Sequence, residues 1–326
     1  MTKKKCTILL TGGAGFVGSH VNKLLQMKGF DTIILDNLSI GNPIAVKHGT
    51  FIQGDVGCRQ QLDLLFETYS IDAVMHFAAS IDVGESMRKP ELYYANNTAN
   101  TINLLHAMID HGVGNFVFSS TAAIYGVPEK LPVTEEAPHL PFTPYGRSKL
   151  MIEEILRDLD RVHGLKSCCF RYFNAAGGDP EGEIKNRKVR DSNLIPIILR
   201  DLKSPNPKGI TVYGFDYPNK DGTCIRDYVH VWDIAQAHLS GLLQLLDGGD
   251  SAQYNLGNGQ GFSILEVLDA VERELDLSLQ VHKGDRRPGD PPILVADSQK
   301  AQKELNWKAE YPDLQKMIRD AWVALS

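Results

Sequence analysis

Cys6-Thr-Ile-Leu-Leu-Thr-Gly-Gly-Ala-Gly-Phe-Val-Gly18 joins an apolar run to three glycines spaced by three, Gly12, Gly15 and Gly18. The apolar run reads as a strand, Thr11 to Gly18 as a turn, and Ser19 to Lys28 as a helix, with Gly29 suited to stop it. Strand, glycine turn, helix is the context a phosphate-binding loop requires. A residue without a side chain permits the tight turn, the close approach of a pyrophosphate and close helix packing. Asp31-Thr-Ile-Ile-Leu35 then reads as a second strand that delivers Asp36. A carboxylate there accepts hydrogen bonds from adenosine ribose hydroxyls and repels a 2′-phosphate, which favours NAD over NADP.

Working outward, the alternation continues. Phe51-Ile-Gln-Gly54 reads as a strand, Arg59 to Tyr69 as a helix, and Ile71-Asp-Ala-Val-Met-His-Phe77 as the next strand. A long helix follows from about Glu91 to Asp110, then the strand Asn115-Phe-Val-Phe118, a helix from Tyr145 and the strand Phe170 to Tyr172. Strands alternating with helices predict an α/β fold, a Rossmann-type doubly wound parallel sheet. Ligands of such sheets lie beyond the carboxyl ends of the strands, which singles out Asp55, Phe77-Ala-Ala79, Ser119-Ser-Thr121 and Asn174.

Past Asn174 the texture shifts to Gly and Pro clusters such as Gly177-Gly-Asp-Pro180 and Arg287-Pro-Gly-Asp-Pro-Pro292. We expect residues 1–174 to form the NAD-binding domain and 175–326 a smaller, mainly substrate-binding α/β lobe. Segments near 225–256 are expected to return: Asp227 to Val231 as a strand and Trp232 to Leu246 as a helix that rejoin the large sheet. The run from Lys185 to Arg190 reads as a solvated loop.

The bulk numbers bound the function. A chain of 326 residues, 43% hydrophobic and 23% charged, is an ordinary globular composition that exceeds a single core. The formal charge of −6 argues against nucleic acid as a main partner. Five cysteines without a CxxC read as free thiols of a reducing compartment, and no apolar stretch spans a bilayer. The expected location is the cytoplasm, with no membrane partner. The ten histidines form no metal-ligand spacing, and His76 and His230 read as structural.

Tyr145-Gly-Arg-Ser-Lys149 places a phenol and an ammonium four residues apart, on one face of the helix that starts there. A nearby cation favours the phenolate and lowers the tyrosine pKa, so Tyr145 can shuttle a proton.

These motifs, with Ser119-Ser-Thr-Ala-Ala-Ile-Tyr-Gly126, give a chain that resembles the extended short-chain dehydrogenase/reductase family, and within it the 4-epimerases of UDP-hexoses. The more specific stretches are Arg171-Tyr-Phe-Asn-Ala175, Asn193-Leu-Ile-Pro196, Asp221 to Val231, Tyr254-Asn-Leu-Gly257 and Arg286-Arg-Pro-Gly-Asp290. The resemblance implies that Tyr145 takes the sugar 4-hydroxyl proton while the C4 hydride moves to NAD; the 4-ketose turns over and is reduced on its other face. It further implies that Lys149 supports the phenolate and that Thr121 hydrogen-bonds the sugar. Phe16, Val17, Asp36, Asn37, Asp55, Val56, Phe77, Ala78, Ala79, Asn96 and Phe173 match its cofactor positions, together with the three glycines, Tyr145 and Lys149. Arg226 and Arg287 match its diphosphate ligands, and Asn174, Asn193, Leu194, Val212, Tyr213 and Asp290 the rest of the nucleotide-sugar site.

The chain departs from the pattern twice. Ile81 stands where many relatives carry a lysine near the pyrophosphate, which removes an anchoring charge for NAD. Leu294 stands where a bulky residue commonly flanks the sugar 2-substituent, which leaves room for UDP-N-acetylhexosamines. A 4,6-dehydratase is disfavoured, because its acid and base positions after Thr121 hold Ala122 and Ala123. UDP-glucuronate 4-epimerisation or decarboxylation, and a non-catalytic NAD-binding role, stay open. The family pairing of two long helices implies a homodimer, with Leu104, Leu105, Met108, Ile152, Ile155, Leu156 and Leu159 as candidate interface positions.

Overall fold

The computed structural model describes residues 5–185, 193–287 and 290–325. The basic run beginning at Lys185 therefore lies almost wholly outside the described residues.

Six strands of the first half form most of one sheet: β1 (Thr7–Thr11), β2 (Asp31–Asp36), β3 (Thr50–Gln53), β4 (Ala73–His76), β5 (Asn115–Ser119) and β6 (Lys166–Tyr172). Three strands then leave it, β7 (Asn174–Ala176), β8 (Ile210–Tyr213) and β9 (Ile225–His230), before β10 (Ala252–Leu256) returns to pair with β6. The resulting order, β10-β6-β5-β4-β1-β2-β3, is parallel throughout. It reverses direction at β1, which places the topological switch point between β1 and β4. Such strands are covered on both faces and read as continuous apolar runs, as Ile8-Leu-Leu10 and Ile33-Ile-Leu35 do. All six of those side chains are buried.

Helices cover each face. On one, Val21, Leu24 and Leu25 of the helix Phe16–Met27 pack with Ile234, Leu242 and Leu245 of the helix Val231–Leu246. On the other, Leu62 and Leu65 of Arg59–Thr68 meet Leu104 and Met108 of Asn100–Asp110 and Ile152 and Leu156 of Pro144–His163. The candidate interface leucines and isoleucines are thus spent inside the chain: Leu104, Leu105, Met108, Ile152 and Leu156 are buried, and Ile155 and Leu159 are partly buried against the same core. Helical spacing alone does not distinguish these two uses of an apolar stripe.

The remaining strands, β11 (Gly261–Ser263), β12 (Val281–Gly284) and β13 (Ile293–Leu294), belong to smaller sheets. β9 pairs with β7, β11 and β13, and β12 pairs with β8. The expectation for residues 225–256 divides accordingly. The helix Val231–Leu246 does pack on the large sheet, whereas β9 joins the small sheet, because β10 already occupies the edge beside β6. A third core, including Ile198, Leu199, Val271, Met317 and Ile318, lies beneath this second group of elements. Lys23 of the glycine-turn helix is buried and donates to Asp179 (2.8 Å) and Glu181 (2.6 Å), tying that helix to the loop after β7.

The long helix expected from Glu91 is broken into Pro90–Tyr93, a π-helical turn at Tyr94–Ala99 and Asn100–Asp110. Such a turn inserts an extra residue and re-aims side chains, often at functional sites. Here Asn97 becomes buried, accepting the Ser80 N–H at 2.8 Å and donating to the Ser80 carbonyl at 3.0 Å.

Candidate active site

A cleft of about 360 Å³ opens along the carboxyl ends of the large sheet and runs to the small one. Its floor is the glycine turn. Gly12 has φ +71°, and a Cβ there would sit 2.4 Å from the Ala78 backbone nitrogen, so the β1 and β4 turns touch as closely as backbones allow. Gly15 caps the helix Phe16–Met27 and aims that helix's N-terminus at the cleft. At the end of β2, the Asp36 carboxylate accepts N–H bonds from Ala14 (3.0 Å) and Leu38 (2.8 Å). Burial pushes its pKa up, and the two N–H groups oppose the shift. Gly12, Gly15, Phe16, Val17, Gly18, Asp36 and Asn37 all line this end. So do Val56, Phe77, Ala78, Ala79 and Asn96. Asp55 does not; it stands behind Asn37, whose amide donates to it at 2.7 Å.

The middle of the cleft holds Tyr145, Lys149 and Thr121. Thr143 caps the helix by accepting the Gly146 N–H at 3.1 Å, and Pro144 fits its first position, so Tyr145 falls in the first turn. Thr121 and Tyr145 line the same stretch of the cleft, and the Thr121 hydroxyl oxygen accepts the Ala123 N–H at 3.1 Å. The Lys149 ammonium is directed elsewhere, donating to the Ser119 carbonyl at 2.9 Å and lying 4.8 Å from the Phe118 ring centre. The expectation that a neighbouring cation lowers the Tyr145 pKa is corrected here. Burial pushes the phenol up, the neighbouring Thr121 hydroxyl opposes the shift, and burial pushes Lys149 down to about 7. Proximity along the helix was legible, but the desolvation of both groups was not.

Ser119, one of the strand-end positions singled out in the sequence, does line the cleft, and its hydroxyl shares a short hydrogen bond with that of Tyr172. Tyr172 also lines the cleft and escaped the sequence reading; its signal was position alone, at the carboxyl end of β6.

The far end is lined by Phe173, Asn174, Asn193, Arg226, Asp290 and Leu294. Asn174 donates to the Asp227 carbonyl at 2.9 Å, bracing β7 on β9. Arg226 donates to the Pro291 carbonyl at 2.8 Å and pairs with Asp290 at 3.4 Å, so the two residues assigned separately to the nucleotide sugar face each other. Leu194, Val212, Tyr213 and Arg287 are not brought into this lining. Val212 is buried and Leu194 partly buried in the third core, and Arg287 stacks over the exposed Tyr213 ring at 4.0 Å.

The pattern of the NAD dependent epimerase/dehydratase family matches residues 8–257, from β1 to just beyond β10. The chain belongs to this family. Its members are NAD-dependent, and the glycine turn, the switch-point crevice and Asp36 of this chain fit that cofactor. The chain is 44% identical to the UDP-glucose 4-epimerase of Halalkalibacterium halodurans over 97% of its length and 94% of that protein's. Its fold matches the crystal structure of the Brucella ovis UDP-glucose 4-epimerase in complex with NAD, with a TM-score of 0.94, 41% identity and 98% coverage of both chains. The UDP-Glc/GlcNAc 4-epimerase of Campylobacter jejuni is similar at a TM-score of 0.85 and 40% identity, again covering 98% of both chains. Among the described residues of this epimerase-family chain, no helix is long and apolar enough to cross a membrane.

Proposed function

We propose that this chain interconverts UDP-glucose and UDP-galactose by transient oxidation of the sugar at C4. The observation that carries the reading is the placing of Thr121, Tyr145 and Lys149 together in the middle of one cleft, between the glycine turn and the Arg226–Asp290 end. Thr121 holds the sugar 4-hydroxyl against the phenol, and Tyr145 takes and returns its proton. Lys149, fixed by the Ser119 carbonyl, holds the cofactor ribose from the same wall. NAD, when bound, accepts and returns the C4 hydride and brings a positive ring that favours the Tyr145 phenolate. The Arg226 fork neutralises the diphosphate once Asp290 turns to the ribose, with Asn174 and Asn193 beside it. Asp55, behind Asn37, and Arg287, stacked on the exposed Tyr213, act from the rim of the same site, while Leu194 and Val212 support it from the third core. Residues 1–174 with the returning β10 serve as the NAD-binding unit, and most of 175–326 as the UDP-sugar lobe. Free thiols throughout the described chain support a cytoplasmic location.

Purified protein incubated with UDP-galactose, with and without added NAD, tests the reading by anion-exchange separation of the 4-epimers. Absence of UDP-glucose under both conditions would sink it.

A wider substrate range is favoured by Leu294. It lines the cleft on β13, directly opposite Arg226 of β9 in the strand register. A side chain of this size leaves space for a 2-acetamido group, so UDP-N-acetylgalactosamine is also converted. Leu294→Tyr is expected to cut that conversion by about 10- to 200-fold, the range one pocket contact supplies, with UDP-galactose turnover changed by less than about threefold. Equal losses on both sugars would contradict the assignment.

The homodimer rests on what stays uncovered. Leu92, Ile102 and Met151 remain 40–47% exposed on the two long helical segments, although their neighbours are buried. These faces pair about a two-fold axis. Light scattering is expected to give about twice the chain mass of 36.1 kDa, and a monomer mass at micromolar concentration would refute the pairing.

A further inference from the structure

The stripe that carries Tyr145 and Lys149 has a third member at the same spacing. Glu153 lies one further turn along the helix Pro144–His163 and is 1% exposed. Neither Glu153 nor its partner Arg171 lines the cleft.

Two consecutive residues at the end of β5 each bond one member of this stripe, and the next shares the cleft with the third. The Ser119 carbonyl accepts from Lys149, the Ser120 hydroxyl donates to the Glu153 carboxylate, and Thr121 lines the cleft with Tyr145. Arg171 of β6 grips the Glu153 carboxylate as a fork, Nε to Oε1 at 3.1 Å and Nη2 to Oε2 at 2.6 Å. Its remaining nitrogen reaches the Tyr125 hydroxyl at 2.8 Å and the Glu135 carbonyl at 3.2 Å. The Tyr125 hydroxyl in turn donates to Asn255 of β10 at 2.7 Å.

Apolar packing could hold this helix on the sheet, and a buried ion pair adds little net stability over it. Directional bonds add register, because a slide of the helix along β5 breaks both bonds together and moves Tyr145 relative to Thr121. We propose that the Glu153–Arg171 pair is the positioning device of this site: it locks the helix to the strand end and thereby sets where Tyr145 meets the sugar hydroxyl held by Thr121. The claim rests on the epimerase reading above. Both residues are positioning residues, since neither touches substrate or cofactor.

Ser120→Ala and Arg171→Lys test it, alongside Glu153→Gln and the wild-type protein, with kcat, KM for UDP-galactose and bound NAD measured for each. Ser120→Ala removes one link and leaves the ion pair intact, while Arg171→Lys keeps the charge and loses the fork. A displacement on the order of 1 Å lowers kcat by about 10²-fold in such sites. The expected result is a kcat loss of about 10- to 100-fold in Arg171→Lys and Glu153→Gln and about tenfold in Ser120→Ala, with KM within about threefold and NAD content unchanged. If Glu153→Gln does not fold, Ser120→Ala and Arg171→Lys carry the test. Folded Ser120→Ala and Arg171→Lys proteins with wild-type kcat would overturn the proposal, as would losses confined to KM or NAD content. A wild-type protein inert toward UDP-galactose is a different failure, which removes the epimerase reading itself.

Discussion

Tyr145→Phe is expected to lower kcat by about 10²- to 10⁴-fold, the span that loss of a positioned acid–base group produces, while UDP-hexose and NAD still bind. Only the hydroxyl is deleted. The ring keeps its edge-on contact with Tyr93 (6.5 Å between centres) and its place in the first helical turn, so the fold has no reason to change. What disappears is the phenol oxygen in the middle of the cleft, the group proposed to take the sugar proton. Steady-state kinetics with nucleotide-sugar binding by calorimetry would check it. A variant within tenfold of the wild-type kcat would show that the proton leaves by another route.

Gly12→Ala should be nearly as damaging, by a different mechanism. The residue has φ +71°, where an L side chain is strained by about 1–2 kcal/mol. The new Cβ would also press on the Ala78 nitrogen at 2.4 Å and the Ala78 Cα at 2.7 Å. Backbone cannot swing aside as a side chain can, so the β1 and β4 turns must part and widen the floor where the dinucleotide lies. Gly29→Ala separates the two effects: Gly29 has φ +86° with nothing within 4 Å. Both variants should lose similar conformational free energy in thermal unfolding. Gly12→Ala alone should lose its NAD, with affinity down by about 10²-fold, as a misplacement near 1 Å implies. Equal NAD content in the two proteins would show that the close approach does not shape the site.

The parts of this molecule legible in the sequence were those encoded by short spacing. The glycine turn with Asp36, and Tyr145 with Lys149, need only the geometry of one strand, one turn or one helix face. Thr121 and Asn174 followed from the rule that strand ends face ligands. Glu153 shares the spacing of Tyr145 and Lys149, but its meaning depends on Arg171, which the chain reaches only at β6. The π-helical turn at Tyr94–Ala99 was hidden for a related reason. An extra residue in a helix leaves the local pattern helical, and the contact it accompanies is with the distant Ser80 backbone that Asn97 binds. Leu104 and Ile152 carried the apolar spacing of an interface and of a core alike. Their burial was decided by which helices the sheet set beside each other. Tyr145 shows the same limit electrostatically: Lys149 four residues away was readable, and the burial that pushes the phenol up was not.

The return of β10 to the edge of the large sheet also bears on how the chain is made. The Ser167 N–H bonds the Ser251 hydroxyl across 84 residues of sequence, and the parallel ladder from Cys168–Ala252 to Tyr172–Leu256 follows. Until that segment leaves the ribosome, β6 is a bare strand edge, open to pairing with another unfinished chain. Domains that fold during synthesis generally close from the N-terminal side. Here the large sheet is completed only after β7 to β9 have emerged, and the cleft later still, because Asp290 and Leu294 follow β10 in the chain.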